Sequence, residues 1–226
     1  MSGPDMDTLA GQIDRLIKQF EARSVEGPVP EWILPPLSCE FLDSLAALLP
    51  APVAAFELGS GRSTHALRRA CAETVSVDDS ADWLRETETV GTKKEDDQTF
   101  VIPLRRRWNR LRPIESFDLE GHPQILDCLR RSNLILIDSP PNPAKREDAL
   151  FLTLQYAPVG ALIVIDDLEV RAVARFSARL ARQNGDAFRF WSVAIDHRLA
   201  VFLKMESRRV RSFPSLREFV GTWLRA

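Results

Sequence analysis

The stretch that decides the fold is Phe56-Glu57-Leu58-Gly59-Ser60-Gly61-Arg62-Ser63-Thr64. It completes a short apolar run over residues 53–58, passes through two glycines and leads into a segment of helical character from about residue 63. Glycine lacks a Cβ atom, so the backbone of such a strand-to-helix turn can approach a ligand closely. The stretch therefore predicts either a nucleoside-binding loop or a tight turn that needs glycine for steric reasons alone.

Beyond this loop the chain alternates short apolar runs with segments of helical character. The later runs cover residues 74–77, 99–104, 134–137 and 161–165. Strands of this kind, each followed by a helix, predict a parallel sheet covered on both faces. Two more runs, residues 188–194 and 199–203, are only four residues apart, a connection that permits only an antiparallel hairpin. We predict a doubly wound α/β fold whose sheet is seven-stranded, mostly parallel, and completed by this C-terminal hairpin.

Helices are predicted before the sheet-forming region. Apolar residues recur at helical spacing over residues 9–20, and a second helix is predicted over residues 38–49 with Ser38 as its N-cap. Residues 87–98, which are polar, and residues 105–117, which are rich in arginine, are predicted to be irregular. We divide the chain into an N-terminal helical segment that packs on the core, a ligand-binding domain and a C-terminal helical extension, at residues 1–52, 53–204 and 205–226.

Charge and composition limit the partners. The 226 residues carry a net charge of −2 and a sequence pI of about 6.0, so no overall basic field exists to hold nucleic acid or an anionic membrane. No stretch approaches the ~20 apolar residues of a membrane helix, and the N-terminus lacks the pattern of a signal peptide. The three cysteines, Cys39, Cys71 and Cys128, do not form a disulfide framework. We expect a cytoplasmic protein without a nucleic-acid or membrane partner, and a homodimer is compatible with the sequence.

An acidic pair ends the second predicted strand. Asp78 and Asp79 lie about 20 residues beyond the glycine loop, where an acid in a doubly wound fold accepts the hydroxyls of a ribose. A glycine loop followed by such an acid predicts a nucleoside ligand. Dinucleotide-binding loops carry a third glycine or alanine, whereas this sequence has Ser63 and Thr64 in that region. NAD is therefore the second choice of cofactor.

Four ordered motifs resemble those of class I S-adenosylmethionine-dependent methyltransferases, specifically the branch whose loop reads E-x-G-x-G-x-S-T. Residues 57–64 resemble the first motif, residues 75–78 the second, and residues 134–141 and 160–167 the motifs of the fourth and fifth strands. The resemblance extends over residues 53–204, and the family's sheet likewise has its seventh strand inserted antiparallel. It implies that the cofactor is S-adenosylmethionine.

The resemblance also implies roles for individual residues. The methionine end of the cofactor would lie on Glu57 and the loop backbone, and Asp78 would bind the ribose hydroxyls, with Asp79 as a second contact. The full set of expected cofactor contacts is Glu57, Gly59, Ser60, Gly61, Ser63, Thr64, Asp78, Asp79 and Asp138. The sequence departs from the family after the third strand, where residues 102–105 offer no acid for the adenine amino group.

Three acids follow the fourth and fifth predicted strands. Asp138, Asp166 and Asp167 lie at the carboxyl ends of adjacent strands, the edge at which open α/β sheets bind ligands. Converging carboxylates supply the hard oxygen ligands that Mg²⁺ prefers. The arrangement resembles that of catechol and macrocin O-methyltransferases, which implies a magnesium ion that lowers the pKa of a bound substrate hydroxyl. The alternative is that these acids cap the following turns, or that one lies near the cofactor's sulfonium.

No general base is obvious, because the Ser139-Pro140-Pro141 that follows Asp138 carries no ionisable group. Asp138 and, as a minor candidate, His122 are the predicted catalytic residues. His65 and His197 are expected to be surface or packing residues.

The basic run Arg105-Arg106-Arg107-Trp108-Asn109-Arg110-Leu111-Arg112 is expected to be a solvated face rather than a contact for an anionic substrate. Trp83 is expected to be a packing residue, as are Trp32, Trp191 and Trp223. The sequence predicts a methyltransferase that acts on a hydroxyl of a small molecule or sugar. The alternatives are a binding or scaffold protein that keeps the fold without turnover, and an NAD-dependent oxidoreductase.

Overall fold

The computed structural model describes residues 5–24, 35–89, 93–109 and 112–211. The helices are α1 (Met6–Glu21), α2 (Pro36–Leu48), α3 (Arg62–Ala70), α4 (Ala81–Thr89), α5 (Pro123–Arg131), α6 (Glu147–Tyr156) and α7 (Arg171–Gln183). The strands are β1 (Ala54–Leu58), β2 (Glu73–Asp78), β3 (Gln98–Val101), β4 (Arg105–Asn109), β5 (Arg112–Ser116), β6 (Leu134–Ile137), β7 (Leu162–Ile165), β8 (Phe188–Ala194) and β9 (Arg198–Lys204). Within these ranges no helix is long and apolar enough to cross a membrane.

Seven strands form one sheet in the order β3-β2-β1-β6-β7-β9-β8. Strands β1, β2, β3, β6 and β7 run parallel, and β9 runs antiparallel between β7 and β8. The predicted fold class, including the C-terminal antiparallel hairpin, is confirmed. An antiparallel strand inserted near the sheet's edge is not part of the doubly wound dinucleotide-binding order, so the topology gives NAD no support.

Two apolar cores cover the two faces of the sheet. Side chains alternate between the faces along each strand: in β1, Ala55 lies in the core beneath α1, α2 and α3, while Phe56 and Leu58 lie in the core beneath α5, α6 and α7. Every residue of β6 and β7 is buried. A strand that is covered on both faces consists of a continuous run of apolar residues. This is why β6 and β7 could be recognised in the sequence.

The N-terminal helices are attached to the end of the sheet that carries the predicted site. Helix α2 begins at Pro36 rather than at residue 38, so the prediction of Ser38 as its N-cap is wrong. Proline suits the first helical position because it has no N–H to satisfy. Instead Asp196, in the turn between β8 and β9, accepts hydrogen bonds from Leu37 N at 2.9 Å and Ser38 Oγ at 2.7 Å. The cap is supplied from a distant loop and fixes α2 against the hairpin.

The arginine-rich stretch is a second, two-stranded sheet, so the prediction that residues 105–117 are irregular is wrong. Strands β4 and β5 pair antiparallel, with Arg105 opposite Ser116. The segment lacks the alternation of apolar and polar residues that identifies a strand, and ion pairs attach it to its surroundings. Arg105 lies 2.7 Å from Asp118 and Lys145 lies 2.5 Å from Glu115. Arg105 and Arg106 are exposed, as a solvated face requires.

Three other predicted boundaries also differ from the structure. Helix α4 continues to Thr89, inside the segment of residues 87–98 that was expected to be irregular. Strand β3 ends at Val101, before Pro103, and not at residue 104. Residues 205–211 are irregular, and the rest of the predicted C-terminal helix lies outside the described residues, as do Trp32 and Trp223. All three cysteines are free thiols.

Candidate cofactor site and acid cluster

The glycine loop between β1 and α3 packs directly on the end of β6. Gly59 has a φ of +94°, and its N–H donates to Val77 O at 2.8 Å. A Cβ atom at this position would lie 2.9 Å from Ser139 Cβ and 3.0 Å from the Asp138 carbonyl carbon. Contacts this short leave no room for a side chain, and glycine alone adopts the conformation without strain. The loop therefore joins the ends of three adjacent strands, β2, β1 and β6.

Asp78 reaches from the end of β2 into this loop. Its Oδ2 accepts hydrogen bonds from Ser60 N at 2.7 Å and Ser60 Oγ at 2.9 Å, and its Oδ1 accepts one from Ser80 N at 2.9 Å. The side chain is buried. Asp79, next to it, is half-buried, and burial together with the charge of Asp78 raises its pKa. The structure thus brings Asp78, but not Asp79, into contact with the loop.

Glu57 lies beneath the loop and not on its surface. The residue is completely buried, and its carboxylate accepts hydrogen bonds from Ser76 Oγ at 2.6 Å and Ser63 Oγ at 3.3 Å. Burial raises the pKa of Glu57 to about 7, although hydrogen bonds from Ser76, Thr64 and Ser63 favour the charged form. The side chain of Thr64 also accepts from Gly61 N at 2.8 Å. Glu57, Ser63 and Thr64 together hold the loop to the start of α3.

Glu57 predicts a specific pH dependence of stability. Its pKa is about 7 in the folded protein, against an ordinary value of 4.5, so the folded state binds the proton more tightly. This contribution to stability is full below pH 4.5 and is lost as the pH rises through 7, with a total on the order of 3 kcal/mol. Glu57→Gln, which cannot ionise, should therefore gain stability relative to the wild type between pH 4.5 and 8.

Urea unfolding of both proteins at several pH values measures this difference. Because both proteins share every other titrating group, the difference between their curves isolates Glu57. A difference that does not change with pH would contradict the raised pKa.

Trp83 contacts the loop from α4, and the prediction that it is a packing residue is wrong. Its indole N–H donates to the Ser60 carbonyl, while 45% of the residue remains exposed. The contact thus fixes one edge of the indole, while nearly half of the residue is open to solvent. Helical spacing alone does not separate this role from packing, and only the contact with Ser60 identifies Trp83 as part of the site.

Asp138 and Asp167, at the ends of β6 and β7, are joined by an arginine that the sequence analysis did not select. Arg146 Nη2 lies 3.1 Å from Asp138 Oδ1, and Arg146 Nη1 lies 2.8 Å from Asp167 Oδ2. The Arg146 side chain is only 3% exposed, and its Nε donates to Pro140 O at 3.0 Å. Asp167 has a φ of 62°, a left-handed conformation that aspartate tolerates better than most residues.

We define the acid cluster as Asp138, Asp166, Asp167 and Glu169. His197, from the turn between β8 and β9, contacts three of these acids. Its Nε2 lies 3.1 Å from Asp166 Oδ1, 3.2 Å from Asp167 Oδ1 and 3.0 Å from Glu169 Oε1. Burial by itself lowers the pKa of His197, but the hydrogen bonds to these carboxylates raise it to about 12. The histidine is therefore a cation at neutral pH, not the surface or packing residue that was expected.

The acids of the cluster differ in their electrostatics. Burial and the neighbouring charge of Asp166 raise the pKa of Asp138, while Arg146 opposes this shift. A third of the Asp138 side chain is accessible, so solvent reduces the effect of burial. Burial acts in the same direction on Asp167, but His197 and Arg146 outweigh it and lower the pKa of that carboxyl.

The predicted site residues are thus only partly brought together. Asp138, Asp166 and Asp167 converge, but Asp138 faces Arg146. The ligand atoms that lie within 4.8 Å of one another are those of Asp166, Asp167 and His197. His122 precedes α5 and makes no side-chain hydrogen bond or ion pair with the described residues, so its catalytic role stays a prediction. His65 lies on α3, and burial lowers its pKa.

Two surface grooves lie beside the N-terminal helices. One, of about 410 Å³, is lined by α1 and β8 and includes Asp14 and Trp191. The other, of about 310 Å³, lies between α2 and α3 and includes Cys39 and Arg69. Neither is lined by Asp78 or by the acid cluster, so we place the candidate site at the loop edge and not in the grooves.

Comparison with known proteins gives the fold a name. No protein-family model matches the sequence, and no curated protein matches it significantly. An O-methyltransferase from Bacillus cereus, in complex with S-adenosylhomocysteine, is 16% identical with a TM-score of 0.56, covering 89% of this chain and 92% of that chain. The O-methyltransferase TomG from Streptomyces achromogenes, involved in tomaymycin synthesis and in complex with S-adenosylmethionine, is 15% identical with a TM-score of 0.52, covering 84% and 98%.

A third similar structure belongs to a protein named for a different substrate. An rRNA methylase from Streptococcus thermophilus is 17% identical with a TM-score of 0.50, covering 77% of this chain and 99% of that chain. Identities this low establish the architecture and not the activity. Together with the strand order and the inserted antiparallel strand, these likenesses show that the chain has the fold of class I S-adenosylmethionine-dependent methyltransferases.

Proposed function

We propose that this protein is an S-adenosylmethionine-dependent methyltransferase that methylates a hydroxyl of a small molecule or sugar. The observation that carries the proposal is the unit formed by the glycine loop and Asp78, in which Ser60 donates two hydrogen bonds to the Asp78 carboxylate. This unit lies at the carboxyl ends of β1 and β2, where open α/β sheets bind nucleosides.

Asp78 keeps the capacity to bind a ribose. An ionised carboxylate has roughly four acceptor positions, and the described hydrogen bonds use three of them, two from Ser60 and one from Ser80. The remaining position suits a ribose hydroxyl as donor. The exposed ring of Trp83, fixed to Ser60, provides an aromatic surface beside this position on which an adenine base can stack. We assign the adenine contact to Trp83. The sequence had suggested no residue for this contact, because no acid follows β3.

The reacting end of the cofactor belongs next to the acid cluster. The bound cofactor supplies an electrophilic methyl group on a sulfonium cation. A Cβ at Gly59 would lie 3.0 Å from the Asp138 backbone, so a methionine moiety on the loop backbone would lie near Asp138, whose ionised carboxylate would favour the sulfonium. The chain's own contribution to methyl transfer is then mainly alignment of the acceptor oxygen with the methyl carbon.

A small acceptor fits the charge distribution better than RNA. The protein is acidic overall, at −2, and the arginines at positions 105 and 106 are paired with Asp118 and Glu115. Nucleic-acid binding needs free cations to displace the counterions of the phosphates. We therefore propose a small-molecule acceptor, although the fold itself also occurs in a protein named as an rRNA methylase.

Calorimetry with S-adenosylhomocysteine tests the cofactor assignment. We expect one saturable site per chain and quenching of tryptophan fluorescence on binding, with less quenching in Trp83→Phe. No binding to the wild type would contradict the proposal. Fluorescence enhancement of added NADH would instead favour the oxidoreductase.

A binding protein without turnover is the second candidate, because Asp138, the predicted catalytic acid, is held by Arg146 at 3.1 Å. Tight S-adenosylhomocysteine binding without methyl transfer to a broad panel of hydroxyl acceptors, with and without Mg²⁺, would favour it. Transfer to any acceptor in the panel excludes it.

A further inference from the structure

The resemblance to catechol and macrocin O-methyltransferases implies a divalent metal between the ends of β6 and β7, and the residues there do not fit one. A metal shared by Asp138 and Asp167 needs an oxygen of each carboxylate to face a common, open point. In this protein the guanidinium of Arg146 lies at that point, 3.1 Å from Asp138 Oδ1 and 2.8 Å from Asp167 Oδ2. Carboxylates that are separated by a guanidinium cannot bind one metal ion without displacing it.

Arg146 is fixed in this position by its backbone and its side chain. It immediately precedes α6, where its carbonyl oxygen accepts the first helical hydrogen bond from Leu150 N at 2.9 Å. Its Nε donates to Pro140 O at 3.0 Å, and only 3% of its side chain is exposed. An arginine is charged at every accessible pH. A permanent positive charge, shielded from solvent, therefore lies next to Asp138 and Asp167.

The other side of the cluster is closed by His197. Its Nε2 lies within 3.2 Å of Asp166 Oδ1, Asp167 Oδ1 and Glu169 Oε1. Asp167 is thus engaged at both oxygens, by His197 at Oδ1 and by Arg146 at Oδ2. Each carboxylate of the acid cluster thus has an arginine or histidine nitrogen of this chain within 3.2 Å.

We propose that Arg146 takes the place of the divalent metal, as a positioning residue that sets Asp138 and Asp167 beside the cofactor, while His197 Nε2 closes the other side of the cluster. The part concerning the cofactor rests on the proposed methyltransferase function. The part concerning the metal does not, because metal binding is measured without any cofactor. Failure of one is therefore distinguishable from failure of the other.

The first test is titration of EDTA-treated wild-type protein with Mg²⁺ and with Mn²⁺, followed by calorimetry and by the melting temperature Tm. We expect no saturable heat, no rise in Tm, and an S-adenosylhomocysteine affinity that EDTA does not change. Saturable binding of either metal would overturn the proposal. Loss of that binding in Asp138→Asn would place the metal at the predicted three-acid site, and loss in His197→Gln would place it on Asp166, Asp167 and His197.

The second test removes the arginine. In Arg146→Met, two carboxylates lose their cation, so Tm should fall by roughly 10 °C, and Mn²⁺ should then raise the Tm of this variant but not of the wild type. The control is Arg208→Met, which removes an arginine paired with the exposed Asp186 at 3.1 Å and should leave Tm unchanged. If Arg146→Met does not fold, Arg146→Lys gives the same test, because a lysine has one point charge for two carboxylates. A variant with wild-type Tm and no response to Mn²⁺ would overturn the proposal.

Discussion

Replacing Gly59 by alanine is expected to abolish S-adenosylhomocysteine binding and to lower the free energy of unfolding by about 3 kcal/mol. The added Cβ would lie 2.9 Å from Ser139 Cβ and 3.0 Å from Ser139 N, at a φ of +94° that side chains rarely adopt. The residues it meets are at the end of β6, whose Asp138 N–H donates to Leu58 O at 2.8 Å. They cannot move away without breaking the junction of β1 and β6, so the loop must move, and with it the contact between Ser60 and Asp78.

Urea unfolding and calorimetry measure the two effects, and Gly61→Ala is the matched control. A Cβ at Gly61 meets nothing within 4 Å, so this variant should unfold within about 1 kcal/mol of the wild type. If Gly59→Ala were as stable as Gly61→Ala and still bound S-adenosylhomocysteine, the loop would not depend on its close approach to β6.

Asp78→Ala should weaken S-adenosylhomocysteine binding roughly 100-fold, which corresponds to the loss of about one to two hydrogen bonds to a charged acceptor. The substitution removes the proposed ribose acceptor and also releases Ser60 N and Oγ, which lie 2.7 and 2.9 Å from Asp78 Oδ2. Both effects act on the same loop, so they reinforce one another. The affinity of Asp78→Asn for S-adenosylhomocysteine should lie between those of the wild type and Asp78→Ala, because asparagine keeps one acceptor oxygen but not the charge.

Asp82→Ala is the control for this prediction. Asp82 lies four residues further along the chain, in α4, and its side chain is 88% exposed. Its removal deletes an acid of the same type without touching the loop, so the affinity should not change. Equal affinities of Asp78→Ala and the wild type in calorimetry would remove Asp78 from the cofactor site.

The sequence by itself determined the sheet. The predicted bounds of β6 and β8 coincide with the observed strands, Leu134–Ile137 and Phe188–Ala194. Strand β6 is buried on both faces, so its apolar character is continuous, and the short link between β8 and β9 leaves only an antiparallel pairing. Local spacing likewise placed Asp78 next to the glycine loop, since the ends of neighbouring parallel strands meet at one edge.

Local patterns failed where a segment is not held by its own apolar residues. Strands β4 and β5 carry arginine where an alternating strand would carry apolar residues, and an ion pair such as that of Lys145 with Glu115, 30 residues apart, attaches them. Ser38 has the residue type of an N-cap, but α2 starts at Pro36, and its Leu37 N–H is capped by Asp196, 159 residues away.

The partners of the acid cluster were decided by the tertiary structure alone. The sequence places Asp138, Asp166 and Asp167 at adjacent strand ends, which is compatible with a metal, with caps of the following turns, or with one acid near the cofactor's sulfonium. Only the folded structure shows that Arg146 and His197 lie among these acids, and His197 comes from a turn 30 residues beyond Asp167. Hydrophobic periodicity records which face of an element is buried, whereas an ion pair depends on contacts of about 3 Å between segments that only the completed fold brings together.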